Sequence, residues 1–365
     1  MATLGVNDLK QYALPTNWDA SLLTQLSLRD GTTYETLIND IAAAMALQNA
    51  DLVGNPLIGG MIFTTAEVEV EYRIGVSNGF KAHTEYSRPD EGRGATTGHM
   101  TPLGAFDRGL GWTYDFLRKA RRAQIDADIS SVMDDIRNIF AKQALTALFT
   151  STKVAVGSGY SMPVADGGTA DSSYVPVANP DRASAFTYTH NHVQALDGIK
   201  QAHVETVATH LWEHGHDGPY DLLVSSADIS SWTDVTSVTG YVPRAKEGVN
   251  YGTTADLATV AGDYVGVVTT NRGSAYLRST GRIPTGYWTM YKSYGQDDQR
   301  NILRCRYDDM IGGVGAYLLA GDHIRRYPLE SALIRMDFGF GIGSDRTVAV
   351  IVKNTDGSWS DPTIS

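Results

Sequence analysis

Apolar positions along the chain change period several times, and each change marks an element. In "TTYETLINDIAAAMALQNA" the residues Ile38, Ile41, Met45 and Leu47 recur at helical spacing, and Thr32 with Glu35 predicts a capping box at the start. "VGNPLIGG" ends that helix with its proline and glycines. The residues before it keep no period and predict an extended arm. In "AEVEVEYRIG" the period drops to two: Val68, Val70, Tyr72 and Ile74 share one face, and Glu67, Glu69, Glu71 and Arg73 share the other. A second extended segment, "KAHTEYS", leads into "RPDEGRGATTG", where Arg88, Asp90, Glu91 and Arg93 sit among glycines and a proline. The two segments predict a projecting ribbon with a charged tip, which is marginal alone and must lean on something else.

From Thr113 to about Phe149 the pattern is helical, with Ile125, Ile129, Val132, Ile136, Phe140, Ala144 and Leu148 on one stripe. Arg118, Lys119, Arg121 and Arg122 cluster near its start, the end where the helix dipole disfavours cations, and read as a solvated face. "GSGYSMPVADGGTADSSY" is a polar loop, and a second helix is predicted over about Val193 to Glu213, stopped by Gly215, Gly218 and Pro219. "YDLLVSS", "YVGVVTT", "GYWTMYKS", "NILRCRY" and "RTVAVIVKN" read as strands.

At 365 residues, 42% hydrophobic and 19% charged, the chain is long enough for a substantial core or for two domains. Its 37 glycines predict many turns, and its net charge of -11 opposes tight binding to nucleic-acid phosphates. One cysteine, Cys305, excludes an internal disulfide and a thiolate zinc cluster. The start lacks a basic and an apolar signal region, and no long apolar run occurs, which predicts a soluble chain made in the cytosol with no membrane partner.

The sharpest chemical candidate is "HLWEHGHDG". His210, Glu213 and His214 spell H-x-x-E-H, in which two imidazoles one turn apart hold a metal and the glutamate activates water. His190, His192, His203 and His216 lie near it, so 6 of the 9 histidines fall between positions 190 and 216. Against this stand a helix that runs out at Gly215 and the lack of any glutamate from 248 to 329. The bland reading is a solvated, polar helix end with no metal, and the zinc hydrolase is the most distant alternative. Gly339, Gly341 and Gly343 in "FGFGIGSDR" imitate a phosphate-binding loop, but a strand follows instead of a helix, so a tight corner with positive φ is expected.

The order of elements resembles the major capsid protein of tailed bacteriophages, the Hong Kong 97-type fold. The stretches "TPLGAFDRGLGWTYDFLRKA", "THNHVQA", "GRIPTGYWTMY" and "ALIRMDFGFGIGSDRTVAVIV" occur in that family's order across nearly the whole chain. The resemblance implies an α+β fold with an arm and first helix over 1–60, an extended two-stranded loop over 61–105, and a peripheral domain with a spine helix over 106–218. It then implies an α/β axial domain over 219–311 and returning peripheral strands over 312–365. The implied function is a non-enzymatic shell subunit without cofactors, forming hexamers and pentamers that enclose double-stranded DNA in a virion after synthesis in the host cytoplasm.

On that resemblance the contacts between subunits are Glu67, Glu69, Glu71, Arg73, Arg88, Asp90, Glu91 and Arg93, and the spine core is Ile125, Ile129, Val132, Ile136, Phe140 and Leu148. Implied partners are further copies of the chain, a portal, and separate scaffolding and decoration proteins, with the DNA enclosed without sequence-specific contacts. An encapsulin-like compartment enclosing cargo proteins is the second reading. One member type crosslinks subunits through a lysine and an asparagine, but its motif has no match here, and Lys81 is the only lysine on the expected loop.

Overall fold

The computed structural model describes residues 28–55, 58–74, 95–113, 116, 119–179, 181–183, 186, 190–244, 264–320 and 329–364. The expected arm before residue 28, the segment "KAHTEYS" and the tip residues Arg88, Asp90, Glu91 and Arg93 lie outside them. The first half of the element order is α1 (Tyr34–Gly54), β1 (Ile62–Thr65), β2 (Glu69–Ile74), β3 (Ala95–Met100), β4 (Gly104–Thr113), α2 (Arg122–Phe149), β5 (Val154–Val156), β6 (Gly159–Ser161), β7 (Val193–Leu196) and α3 (Gln201–Glu213). There follow β8 (Tyr220–Ser225), α4 (Ile229–Trp232), β9 (Tyr241–Pro243), β10 (Tyr264–Thr270), β11 (Gly273–Thr280), β12 (Tyr287–Tyr291), β13 (Leu303–Tyr307), β14 (Ala316–Ala320), β15 (Leu329–Ile342) and β16 (Ala349–Asn354). The described residues form two compact units, one from those within 1–52, 104–140 and 314–338, the other from those within 53–103, 141–313 and 339–365.

In the first unit β15 runs antiparallel to β14 on one side and to β4 on the other, so that Met336 faces Ala316 and Phe106. The predicted stripe of α2 is buried here at Ile125, Ile129, Val132, Ile136 and Phe140. Phe140 and Phe106 both pack on Phe338, with ring centroids 5.4 and 5.0 Å away. Burying each such side chain contributes about 1.5–3 kcal/mol, which makes this stripe the main hold of the helix. Polar ties fix its rotation: Trp112 Nε1 donates to Asp128 at 2.9 Å, and Arg108 pairs with Asp135. Arg122 pairs with Asp40 of α1 at 2.8 Å, and the Asn49 amide closes two hydrogen bonds with the backbone of Ala316.

The second unit is built on a seven-stranded sheet in the order β7-β16-β12-β8-β11-β10-β9. Strand β8 is buried at every position, as a strand covered on both faces should be. Helix α3 lays Val204, Val207, Ala208 and Leu211 into the same core as Leu222, Val224, Trp288, Met290, Val350 and Val352. Trp232 meets Trp288 edge to face at 5.1 Å. Ala144, Leu145 and Leu148 continue the buried stripe of α2 in this unit. Strands β1 and β13 pair in parallel, while β2–β3 and β5–β6 are two-stranded ribbons. Among the described residues no helix is long and apolar enough to cross a membrane.

Several local expectations need correction. Thr113 belongs to β4, and α2 starts at Arg122, where the Gln124 side chain accepts from the Arg121 amide and Asp30 accepts from the Arg122 amide. The cationic cluster therefore falls largely before the helix, and Arg122 is offset by Asp40 and Asp126. The cap of α1 is Thr33, whose hydroxyl accepts from the Thr36 amide at 3.3 Å, instead of a Thr32–Glu35 box. Leu47 is exposed, and Gln48 is buried in its place.

The second helix is shorter than expected, because Val193–Leu196 forms β7 beside β16 and Gly198, at φ 86°, turns the chain into α3. Gly339 and Gly341 lie inside β15, Gly343 directly after it, and none of the three has a positive φ. Close approach explains them: a Cβ at Gly339 would collide with the Pro102 carbonyl oxygen, and one at Gly343 would stand 2.7 Å from that of Asn301.

Candidate functional site

Strand β2 has the two faces its alternation predicts. Val70 is fully buried and Tyr72 half-buried, while Glu69, Glu71 and Arg73 are exposed. Its partner is β3, with Val70 opposite His99 and Tyr72 opposite Thr97, so the return strand lies beyond the charged tip segment. The apolar face of the ribbon does not wait for another chain. Tyr72 packs edge-on against His99 and Tyr174, at 5.5 and 5.8 Å, and His99 Nε2–H donates to the Ile342 carbonyl at 2.7 Å. That bond leaves His99 Nδ1 to accept from the Tyr72 hydroxyl at 3.3 Å. Burial holds His99 neutral, its pKa pushed down to about 4, and raises that of Tyr72.

The free face of the ribbon is therefore the charged one. At its base Arg304 of β13 is buried yet reaches Glu67, whose carboxylate is 79% exposed, at 2.7 Å. Glu67, Val68, Glu69, Glu71 and Arg304 line a groove of about 610 Å³. Sequence reasoning missed Arg304 and Tyr174. The alternation of "NILRCRY" was the available signal for Arg304, whereas nothing local pairs Tyr174 with the ribbon. The tip residues Arg88, Asp90, Glu91 and Arg93 lie outside the described residues.

The histidines are a different matter from the expected solvated helix end. His210 sits in the last turn of α3 and His214 is its C-terminal cap, but His190 and His192, just before β7, fold over against them. Ring centroids are 4.9 Å apart for His190 and His210, 4.8 Å for His190 and His214, and 4.9 Å for His192 and His214. Phe186 covers His190 and His214 at 4.2 and 4.5 Å. His192 is pinned by the backbone: its amide donates to the Ala165 carbonyl at 2.7 Å, and its carbonyl accepts from the Ile351 amide at 2.9 Å.

Burial drives the pKa of every ring in this group downward, to about 3 for His190, to about 4 for His214, and well below the usual value for His192. Neutral imidazoles result. Potential ligand nitrogens of His190, His192 and His210 all lie within 4.8 Å of one another. Glu213 is not in that set, so the H-x-x-E-H constellation of His210, Glu213 and His214 is not assembled as a water-activating site. His203 lies elsewhere, bonded to Gly198 and Asp197, and His216 is buried against Tyr294 and Thr347. Cys305 is buried on β13 with its thiol pKa pushed up, which suits packing and opposes nucleophilic chemistry.

With these features in place, the α+β architecture is a fold shared with a solved phage chain. The chain is similar to a solved chain of Mycobacterium phage Patience, 19% identical, over 92% of each chain at a TM-score of 0.64. Looser likenesses include the "Cyanophage Pam1 capsid asymmetric unit" at 11% identity over 82% of this chain and 90% of that one, TM-score 0.47. Another is the SrpI encapsulin complex of Synechococcus elongatus PCC 7942, at 11% identity over 84% of this chain and 91% of that one, TM-score 0.44. No family model matches the chain, and no curated protein does.

Proposed function

We propose that this chain is the structural subunit of an icosahedral viral shell and assembles with copies of itself into hexamers and pentamers around packaged double-stranded DNA. The observation that carries the reading is the shared fold over 92% of both chains with a phage chain. The ribbon adds support, because its apolar face is satisfied within the chain while Glu67, Glu69, Glu71 and Arg73 remain on the outside, where a neighbour can meet them. Arg88, Asp90, Glu91 and Arg93 extend that charged interface on this reading. Residues 61–105 serve as the extended loop, 106–218 as the peripheral domain, 219–311 as the axial domain, and 312–365 as the returning strands.

The role is structural, without a catalytic step. A net charge of -11 lets the shell enclose DNA without gripping it. Portal, separate scaffolding and decoration proteins are the further partners on this reading, and the virion capsid is its place after synthesis in the host cytoplasm. Electron microscopy and sedimentation of the expressed chain test the proposal, with closed shells as the expected result. A monomer at every concentration and salt would sink it, and shells filled with a cargo protein would move the chain to the compartment class.

A further inference from the structure

We infer that His190, His192 and His210, with His214 beside them, form a binding site for a divalent transition-metal ion of the zinc class. The site is a staple between the segment before β7 and the end of α3, and the shell reading neither requires nor supplies it.

His192 and His214 point to a metal through their hydrogen bonds, while His210 Nδ1 accepts from the Gln194 side-chain amide at 3.0 Å and would exchange that bond for the ion. His192 Nδ1 meets the Ala349 carbonyl at 2.9 Å, and His214 Nδ1 meets the Val177 carbonyl at 2.8 Å. A carbonyl only accepts, so each Nδ1 carries its ring's proton and each Nε2 presents a lone pair. Those two Nε2 atoms stand 3.0 Å apart. Neither has a proton to offer the other, and a second proton would place a charged ring in a buried setting. A cation shared between the lone pairs resolves the conflict.

Two more observations agree. His190 Nε2 is buried and has no hydrogen-bond partner. In addition, metal-bound imidazoles usually donate their other N–H to a backbone carbonyl or a carboxylate, and His192 and His214 already do so.

Size and chemistry narrow the ion. With zinc–nitrogen bonds of about 2.0–2.1 Å, ligands of a tetrahedral shell lie roughly 3.3–3.4 Å apart. The His192–His214 pair is close to that spacing, and the three-histidine set, within 4.8 Å, needs the half-buried rings of His190 and His210 to close in on the fully buried His192. All-imidazole donors without thiolate or carboxylate suit zinc, copper, nickel or cobalt and do not suit magnesium or calcium. Because the ligands come from segments that meet only in the folded chain, metal binding stabilises the fold.

The test is equilibrium dialysis of the full chain, stripped with a chelator, against zinc, with metal analysis and with cobalt as a spectroscopic probe of nitrogen ligation. About one zinc per chain at micromolar concentration is expected, together with a rise in the thermal midpoint. His190→Ala should weaken zinc binding by more than about tenfold while the chain stays folded, because the Nε2 it removes bonds to nothing in the protein. His203→Ala, which lies off the cluster, should bind as wild type. If His190→Ala does not fold, His210→Gln takes its place, and the wild-type stoichiometry still decides. Failure of the wild-type chain to bind zinc or cobalt overturns the inference, as does undiminished binding in both cluster variants.

Discussion

Arg304 and Glu67 join the buried and exposed sides of the ribbon base: a guanidinium with a tenth of its side chain exposed meets, at 2.7 Å, a carboxylate that is mostly in water. Arg304 Nε is buried without a partner, so Glu67 and the more distant Thr65 hydroxyl carry the hydrogen bonding of this cation. The two ends of the pair should therefore respond unequally to mutation. Glu67→Gln replaces a solvated charge and should cost only about 1 kcal/mol. Arg304→Ala also strips the buried stem and should cost roughly 2–3 kcal/mol, as read from urea unfolding. Equal costs for the two variants would contradict the asymmetry in burial.

The exposed row Glu69, Glu71 and Arg73 separates folding from assembly. Reversing Glu69 and Glu71 to Lys should change monomer stability by less than about 0.5 kcal/mol, since neither carboxylate is buried. Assembly should suffer if this face meets a neighbour. Sedimentation and microscopy should show fewer closed shells, with unchanged circular dichroism. Normal shells from the doubly reversed chain would remove these residues from the interface.

Deleting residues 88–94, or changing Arg88 and Arg93 to Glu, probes the tip in the same way. A folded chain that no longer closes into shells is the expected outcome. Wild-type shells would show that the tip takes no part in assembly.

Ile136 is 4% exposed in the middle of the α2 stripe. Ile136→Asp should place an unpaired carboxylate against the apolar core of the first unit and cost several kcal/mol, leaving little soluble protein. A soluble variant with the wild-type thermal midpoint would mean that the stripe does not carry the packing assigned to it.

Acid should weaken the ribbon base through His99. Its ring faces the Tyr72 hydroxyl, the Ile342 carbonyl and the positive charges of Arg346 and Arg304, and the folded chain keeps it neutral down to about 4. The unfolded chain protonates near 6.5, so below that pH it binds the extra proton. The contribution is whole above about pH 6.5 and is lost progressively as pH falls toward 4, about 3 kcal/mol in all. Other buried histidines act with the same sign, so the decisive reading is the difference between chains: His99→Gln should flatten this part of the stability profile. An unchanged slope in that variant would remove His99 as a contributor.

Local periodicity determined the two elements that define the fold. The period of two from Glu67 to Ile74 fixes which side chains of β2 face inward, whatever covers them, because successive side chains of a strand point to opposite faces. The stripe from Ile125 to Leu148 works the same way at helical period. Both are properties of neighbours in the chain, and both are found in the structure. Tertiary structure decided the rest. Whether the apolar face of β2 needed another subunit depended on Tyr174, more than a hundred positions away, and its own chain covers it. "VQAL" became a strand instead of the start of a helix because β16 offers it a parallel partner, with Val193 beside Ile351. That pairing also holds His192 over His214. The sequence showed many histidines close together along the chain, but the cluster exists because a long-range backbone register turns two of them back onto the end of α3, and no local pattern encodes that register.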